Sequence, residues 1–374
     1  MKKIALIIVI ILLSLFSVSN GKAGDIMTRY EQTDFTYSGN WNEASHYWNP
    51  NAFNPNEFQP NTETYFSGDT AKYTNAINAY AELSYSGYGI GFITFLSNGG
   101  HFDAWFDGVY QGRFSCINAD YWSGGFKQES IYQFPIFFPC DTNGQHTLKV
   151  QCVGDGYVWI DAADVVNSIE EPTQGRLLGI GDSWTNGSGA SIRYETDYLN
   201  RLHTMLGTTE KVNKGLSAGE LCGFTGNYGY ARFESDVILN KPEYLIIALG
   251  FNDVRHLPNS GTYKRYYDLT LRMISARLNT ENMEIICCTP GWCSDAELLE
   301  NSPNYNHATQ DDFEEYGLIV KNLSEKYGFK CCEWYKTMNK TSSLMAEDGY
   351  HPNDNGHWVL ACEIFQVIKA GNSY

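Results

Sequence analysis

The sequence of 374 residues predicts an all-β sandwich followed by a three-layer α/β region with a mostly parallel sheet. Up to about residue 166, short apolar or alternating runs lie between turn residues and few helical periods occur, a pattern typical of a sandwich. From Arg176 onward, apolar strand-like runs alternate with helical periods, which indicates parallel strands covered by helices. Glu170-Glu171-Pro172 indicates a linker between them. We therefore expect domains at residues 25–170 and 171–374.

Residues 1–24 have the pattern of a signal peptide. Met1-Lys2-Lys3 gives a positive start, the run 4–16 is apolar apart from Ser14, and small residues around 21–24 offer a cleavage point. The apolar run is shorter than the ~20 residues that a membrane-spanning helix needs. We expect cleavage and a secreted or periplasmic protein without stable membrane insertion. An uncleaved anchor is the alternative.

The first region contains strand-like runs separated by turn residues. They fall at residues 79–85, 91–96, 101–106, 147–153 and 157–160. Asp107-Gly108 predicts a turn directly after one of them. Tyr, Trp and Phe are frequent here, but aromatic residues in a sandwich more often form the core than bind a ligand.

The second region alternates strands with helices. Predicted strands fall at 176–181, 211–213, 244–250, 283–288 and 330–334, and predicted helices at 192–206, 263–278, 311–327 and 355–369. Ligands of such sheets bind outside the carboxyl ends of the strands. Ser183 and Asn252 fall at such ends.

The chain is strongly acidic. Removing Lys2, Lys3 and Lys22 with the signal leaves 23 of the 26 basic side chains against 43 acidic ones, a net charge of about −20. Such a surface repels nucleic acid and anionic headgroups. We expect no nucleic-acid partner and a neutral substrate, unless a local basic pocket outweighs the negative net charge of the chain.

Ten cysteines occur, none of them in a CxxC pair. The adjacent pairs Cys287-Cys288 and Cys331-Cys332 lie inside apolar strand-like runs, where cysteine acts as a small buried hydrophobe. The sequence indicates no metal site and no cofactor, and it leaves the disulfide pattern open.

Three short segments fit one active site: Gly181-Asp182-Ser183, Gly250-Phe251-Asn252-Asp253 and Asp348-Gly349-Tyr350-His351. A serine hydroxyl is a poor nucleophile until an imidazole takes its proton and a third group orients the imidazole. Asp348 and His351 lie on one short loop before a helix, so one turn could bring the carboxylate to the ring nitrogen that faces away from Ser183.

These segments resemble the SGNH, or GDSL-like, hydrolase superfamily. The resemblance covers Arg176 to the C-terminus and implies that Ser183 is the nucleophile, His351 the general base and Asp348 its orienter. It also implies an oxyanion hole made by the N–H of Ser183, the side-chain amide of Asn252 and a backbone N–H after the strand at 211–213.

Gly219 is the predicted source of that third N–H. The block departs from the usual spacing of the family, so Ala218 is the alternative. The first region resembles the jelly-roll domains that precede the catalytic domain in some secreted carbohydrate esterases.

Other interpretations remain open. Gly215-Leu216-Ser217-Ala218-Gly219 is a GxSxG string, which marks the nucleophile of α/β-hydrolases, but only Val212 supplies an apolar strand residue before it. Ser217 is therefore the alternative nucleophile. Asp182 is either a helix N-cap or a buried acceptor that orders the oxyanion loop, and Asp253 is expected to anchor its own loop.

The sequence favours a secreted serine esterase that removes acetyl or another small acyl group from carbohydrate. A small-molecule or polysaccharide ester is the expected partner. The alternatives are a lipid or thioester hydrolase of the same superfamily and a carbohydrate-binding protein with a degenerate hydrolase domain. The short linker near Pro172 favours a β domain packed on the catalytic region over one on a free tether.

Overall fold

The computed structural model describes residues 26–45, 53–54, 59–60, 66, 70–96, 98–117, 120–121, 131–140, 142–222, 229–256, 259–294, 308–338 and 341–370. The predicted signal peptide, residues 1–24, lies outside these ranges. Within them, no helix is long and apolar enough to cross a membrane.

The region before residue 167 consists mostly of antiparallel strands. They are β1 Met27–Glu31, β2 Thr36–Ser38, β3 Asn42–Ser45, β4 Phe53–Asn54, β5 Gln59–Pro60, β6 Thr70–Thr74, β7 Tyr80–Gly87, β8 Gly89–Leu96, β9 Asn98–Phe106, β10 Val109–Ile117, β11 Ile131–Phe138, β12 Gly144–Cys152, β13 Val158–Ile160 and β14 Ala162–Val166. One sheet has the order β1-β14-β8-β11, a second β10-β9-β12-β7-β2, and a third β13-β6-β3, while β4 pairs with β5.

The two larger sheets face each other across an aromatic core. The ring centroid of Phe92 in β8 lies 5.3 Å from that of Phe102 in β9, and the rings of Phe114 in β10 and Phe138 in β11 are 5.4 Å apart. Along β7, buried and solvent-facing side chains alternate, as expected for a strand with one face on the core. The predicted all-β fold of this region is confirmed.

The second region is built on a parallel sheet. Its strands are β15 Thr173–Gly181, β16 Glu210–Gly215, β17 Pro242–Ala248, β18 Glu284–Cys288 and β19 Lys330–Cys332. Their order is β16-β15-β17-β18-β19, with all neighbours parallel. The predicted α/β fold is confirmed. The strand order reverses between β15 and β17, and the crevice at such a reversal is where ligands bind.

Helices connect and cover these strands. They are α1 Tyr198–Leu206, α2 Gly229–Phe233, α3 Phe251–His256, α4 Ser260–Arg277, α5 Gln310–Tyr327, α6 Trp334–Met338 and α7 Asp354–Lys369. A π-helical turn at Glu234–Ile238 follows α2, and 3-10 turns occur at Gln32–Asp34, Thr280–Asn282 and Ser342–Leu344.

The helix predicted from residue 192 begins later than expected, and the strand predicted at 330–334 ends earlier. The helix predicted from residue 192 begins at Tyr198, because Tyr194 has a positive φ of 68° and the Asp197 side chain caps the helix by accepting the N–H of Asn200. The strand predicted to reach Trp334 ends at Cys332, and Trp334 begins α6.

The linker is held against the α/β region. The Glu170 N–H donates to the Arg277 carbonyl at 3.0 Å, the Asn279 N–H donates to the Glu170 carbonyl at 2.9 Å, and the Thr173 N–H donates to the Lys241 carbonyl at 2.7 Å. These hydrogen bonds fix the linker in place against the α/β region.

Side chains of the α/β region also dock on the backbone of the β region. The Tyr266 hydroxyl of α4 donates to the Tyr121 carbonyl at 2.8 Å, and the Tyr230 hydroxyl of α2 donates to the Pro135 carbonyl at 3.1 Å. All four of these residues are buried, and so are the two hydrogen bonds. The two regions therefore pack directly on each other.

Candidate active site

Ser183 lies on a tight turn at the carboxyl end of β15. The Asn186 N–H donates to the Asp182 carbonyl at 3.0 Å, so residues 182–186 form a single helical turn. A Cβ at Gly181 would overlap the Thr185 hydroxyl, which is why the strand enters this turn through glycine. The turn places the Ser183 hydroxyl at the crevice where the strand order reverses.

Ser183, His351 and Asp348 form one hydrogen-bonded line. The His351 Nε2 lies 2.8 Å from the Ser183 Oγ, and the His351 Nδ1 lies 2.6 Å from the Asp348 Oδ2. The carboxylate can only accept, so it fixes the ring proton on Nδ1 and leaves the Nε2 lone pair facing the serine hydroxyl. This is the arrangement that a serine needs to be deprotonated during attack.

The loop geometry of residues 348–351 also favours a charged Asp348. Its Oδ1 accepts the N–H of His351 at 3.0 Å and that of Tyr350 at 3.2 Å. Burial opposes ionisation, but the hydrogen bonds from the His351 ring and from the backbone outweigh it, and the pKa of the Asp348 carboxyl is lowered. The His351 ring is thus oriented by an anion.

Asn252 lies at the start of α3, directly after β17, and is buried. Its Nδ2 donates to the Gly219 carbonyl at 3.0 Å. This bond ties the third segment to the turn that follows β16 and uses one of the two amide N–H groups. Among the described residues, the other amide N–H has no partner.

The Gly219 N–H, which was predicted to donate a hydrogen bond to the oxyanion, closes a turn instead. That N–H donates to the Leu216 carbonyl at 2.8 Å, and Ala218 inside the turn has a φ of 57°. In the described part of the chain, the N–H groups of Ser183 and Ala218 have no hydrogen-bond partner. Of the two residues left open by the sequence, Ala218 is the one with an unoccupied N–H.

Ser217, the alternative nucleophile, is exposed on the same turn. Its Oγ accepts a hydrogen bond from the Asn186 Nδ2 at 3.0 Å. No histidine within the described ranges lies at hydrogen-bond distance from it. The structure therefore gives Ser217 no base.

Asp182 is a buried acceptor. Its Oδ1 accepts the N–H of Trp184 at 2.9 Å, and only 2% of the residue is exposed. Burial and the nearby Asp253 carboxyl raise the pKa of Asp182 to about 7, although the Trp184 N–H acts in the opposite direction. Because its carbonyl also accepts the Asn186 N–H, Asp182 has the hydrogen bonds of an N-cap on this single helical turn, and the two interpretations of Asp182 are compatible.

Asp253 anchors a different loop from the one expected. Its carboxylate accepts the N–H groups of Leu221 and Cys222, which follow the Gly219 turn. Burial and the neighbouring Glu220 raise the pKa of Asp253, while these N–H groups lower it in part. The residue thus supports the second segment from the third.

Trp184 links the serine turn to the histidine loop, a role that sequence reasoning missed. Its Nε1 donates to the Tyr350 carbonyl at 3.0 Å, and its ring packs against Trp334 at 6.1 Å. A bulky aromatic residue with a polar atom next to a candidate nucleophile was the only signal for it in the sequence.

The second region of the chain is similar to known proteins. Residues 180–359 match the model of the GDSL-like lipase/acylhydrolase family. An acetylxylan esterase of Geobacillus stearothermophilus is 27% identical over 54% of this chain and 90% of its own length. An acetylxylan esterase of Xylanibacter ruminicola is 24% identical over 56% of this chain, and the match spans 46% of that protein.

A solved structure of a family two carbohydrate esterase from Clostridium thermocellum is 14% identical, covers 80% of this chain and 94% of its own, and has a TM-score of 0.41. Through residues 180–359, just under half of its length, this chain is similar to the GDSL-like lipase/acylhydrolase family, and it is an ester hydrolase.

Proposed function

We propose that the chain is a secreted serine esterase that removes acetyl, or another small acyl group, from carbohydrate. The observation that carries the proposal is the line of Ser183 Oγ, His351 and Asp348, with spacings of 2.8 and 2.6 Å. In this proposal residues 1–24 are a signal peptide, residues 25–170 an accessory β domain and residues 171–374 the catalytic domain.

The reaction follows from the protonation pattern. The Ser183 Oγ attacks the ester carbonyl carbon as its proton passes to the His351 Nε2, and Asp348 stabilises the imidazolium. The imidazolium then protonates the departing sugar oxygen, which leaves an acyl group on Ser183. Water attacks this acyl-enzyme with His351 as base, and the carboxylic acid departs.

The negative charge on the carbonyl oxygen needs donors that are already aimed at it. We assign the N–H of Ser183, the N–H of Ala218 and the second amide N–H of Asn252 to this role. Ala218 replaces Gly219 because the Gly219 N–H is held by Leu216. Loss of a single such donor costs about 3–4 kcal/mol of transition-state stabilisation in a well-studied protease.

The substrate class is supported by two observations. The two matched relatives are both named acetylxylan esterases. In addition, three hydrogen-bonded side chains next to the serine turn are polar or amphipathic, namely Asn186, Tyr194 and Ser217. Such a border suits a hydrated sugar better than a long acyl chain, which would favour an apolar cleft.

The test is acetate release from a panel of acetylated glycans, with p-nitrophenyl esters of increasing chain length measured in parallel. We expect acetate release from at least one glycan and a preference for acetyl over octanoyl esters, both lost in Ser183→Ala. A preference for long chains without acetate release would favour a lipid hydrolase. Glycan binding without turnover of any ester would favour the degenerate-domain alternative.

Secretion is tested separately. Expression of the full chain in a bacterium with a secretion system should give a product that begins near residue 25, as determined by N-terminal sequencing. A product that retains residues 1–24 would contradict cleavage.

A further inference from the structure

Asn186 is attached rigidly to the segment that carries Ser183. Its backbone N–H donates to the Asp182 carbonyl, so only one helical turn separates its side chain from the Ser183 N–H. The side chain points away from the sheet core toward the neighbouring turn at the end of β16. If this side chain moves, the serine turn is therefore expected to move with it.

Ser217 is attached to the other oxyanion donor. It precedes Ala218 in the turn that the Gly219 N–H closes on the Leu216 carbonyl. Ala218 has a φ of 57°, a conformation that an L-residue other than glycine adopts at a cost. A turn under such strain relaxes unless its surroundings hold it.

The two segments are joined near their bases by the Leu216 N–H, which donates to the Gly181 carbonyl at 3.0 Å, and by the Asn213 Nδ2, which donates to the Thr185 carbonyl at 2.7 Å. A third hydrogen bond joins them next to Ala218. The Asn186 Nδ2 donates to the Ser217 Oγ at 3.0 Å, and the Asn186 Oδ1 accepts the hydroxyl of Tyr194 at 2.8 Å. Both ends of the amide are thus engaged, which fixes its plane. Tyr194 is itself held, because the Lys211 Nζ donates to its carbonyl at 2.9 Å.

Backbone strain occurs on both sides of this bridge. Among the described residues, five other than glycine have a positive φ: Asn78, Asp107, Tyr194, Ala218 and Lys241. Two of them, Tyr194 and Ala218, flank the Asn186 amide on its two sides. Strain retained in two adjacent segments of a site indicates a geometry that the site requires.

We propose that Asn186 and Ser217 form an oxyanion clamp, a pair of positioning residues that fixes the Ala218 N–H relative to the Ser183 N–H. This inference rests on the proposed function. In this proposal the clamp acts through the position of the Ala218 N–H and takes no part in bond making or breaking. Oxyanion donors must lie within about 2.7–3.1 Å of the developing charge. A small shift of one turn therefore weakens the binding of the transition state more than the binding of the ground state.

The experiment measures kcat and KM for a p-nitrophenyl acetate series with wild type, Asn186→Ala, Ser217→Ala and the double variant. We expect each single variant to lower kcat about three- to tenfold, in the range of one hydrogen bond, with KM unchanged within about twofold. The double variant should be no worse than the single ones, since both changes break the same bond. Ser217→Thr retains the hydroxyl and should retain kcat.

Two further readouts separate positioning from a structural role. Affinity for a small alkylboronic acid, which forms a tetrahedral adduct on a serine, should fall by the same factor as kcat, while the melting temperature stays within about 2 °C. Gln151→Ala is the matched control. It removes an exposed hydrogen bond of the same length in the β region, which the Gln151 side-chain amide donates to the Asn78 Oδ1 at 3.0 Å. It should leave kcat unchanged.

The outcomes are distinguishable. Wild-type protein without activity on any ester overturns the proposed function and the clamp with it. Active wild type with unchanged kcat in both single variants overturns the clamp alone. An effect on KM only, additive losses in the double variant, or a loss of kcat that tracks a lower melting temperature would also overturn it.

Discussion

Both carboxylate oxygens of Asp253 accept the backbone N–H of Leu221, at 3.1 and 2.9 Å. Leu221 follows the turn that carries Ala218 and Gly219, so a side chain from the end of β17 holds the loop at the end of β16. The Cys222 N–H donates to the same carboxylate at 3.0 Å. The second and third segments of the site are thus one hydrogen-bonded unit.

Replacement of Asp253 by Asn should break this unit. An amide offers one acceptor and turns an NH2 group toward N–H donors, and an unmet buried hydrogen bond to a charged group costs about 1.5–3 kcal/mol. We expect Asp253→Asn to lower both kcat, by more than about tenfold, and the urea midpoint. Asp312→Asn is the control, because that carboxylate also accepts a backbone N–H, at Thr309, but far along the chain in the cap of α5. Equal effects of the two changes on kcat would contradict the role of Asp253.

Ser183→Ala should abolish turnover. Removal of a nucleophilic serine from a triad costs about 10⁶-fold in kcat in a well-studied protease, so we expect a loss of at least ~10⁴-fold here. Ser217→Ala should cost no more than about tenfold, because Ser217 has a structural hydrogen bond and no base. Steady-state kinetics on an aryl acetate checks both. The reverse ranking would assign the chemistry to the GxSxG string.

Asp348→Asn should lower turnover by at least ~100-fold, since replacement of the orienting carboxylate of a triad gives losses near 10⁴-fold. The Asn Oδ1 can still accept the N–H groups of Tyr350 and His351, so the loop should keep its shape. Circular dichroism and the melting temperature provide the control for folding. Near-normal kcat in a folded variant would make Asp348 a turn residue only.

Asp182 makes stability depend on pH. Its pKa is about 7 in the folded chain and about 3.9 in an unfolded one. Between these values the folded chain binds more protons than the unfolded one, so this group makes stability fall as pH rises from about 4 to about 7. The neutral Asp182→Asn keeps an acceptor for the Trp184 N–H and removes this titration.

The free energy of unfolding of Asp182→Asn minus that of wild type should therefore be larger at pH 8.5 than at pH 5, by on the order of 2 kcal/mol, because only wild type loses stability over this range. Urea unfolding at the two pH values measures it. A difference between the two proteins that does not change with pH would show that Asp182 does not titrate in this range.

Much of the fold follows from local patterns. Leu177, Leu178 and Ile180 form a buried strand because helices cover both faces, and the apolar run alone predicts it. The three segments that converge at the crevice could also be found, because each follows a strand or precedes a helix. Topology then places them at one edge of the sheet.

What joins the segments could not be predicted from the sequence. The bond from Trp184 to Tyr350 spans 166 residues, and no periodicity encodes it. The Gly219 N–H is occupied because Ala218 adopts a left-handed conformation, which residue type disfavours and only the surrounding contacts impose. The same holds for Tyr194, whose conformation shortens the helix expected from residue 192.

Removal of the β region should harm the catalytic region. A chain of residues 171–374 would expose the buried Tyr230 and Tyr266 and leave their hydroxyls without the carbonyl partners that they now have. We expect aggregation and reduced turnover of an aryl ester, measured by light scattering and kinetics against the full chain. A monodisperse fragment with unchanged aryl-ester turnover would contradict a required interface.

The hydrogen bonds between the two regions are also asymmetric. Tyr230 and Tyr266 contribute side chains, whereas Pro135 and Tyr121 contribute main-chain carbonyls. A carbonyl is present whatever the residue, so these bonds demand a backbone path from the β region and not a particular amino acid. The residue types of the β region therefore matter through ring packing instead, since the Phe134 ring lies 5.8 Å from that of Tyr230 and the Tyr121 ring lies 6.0 Å from that of Tyr266.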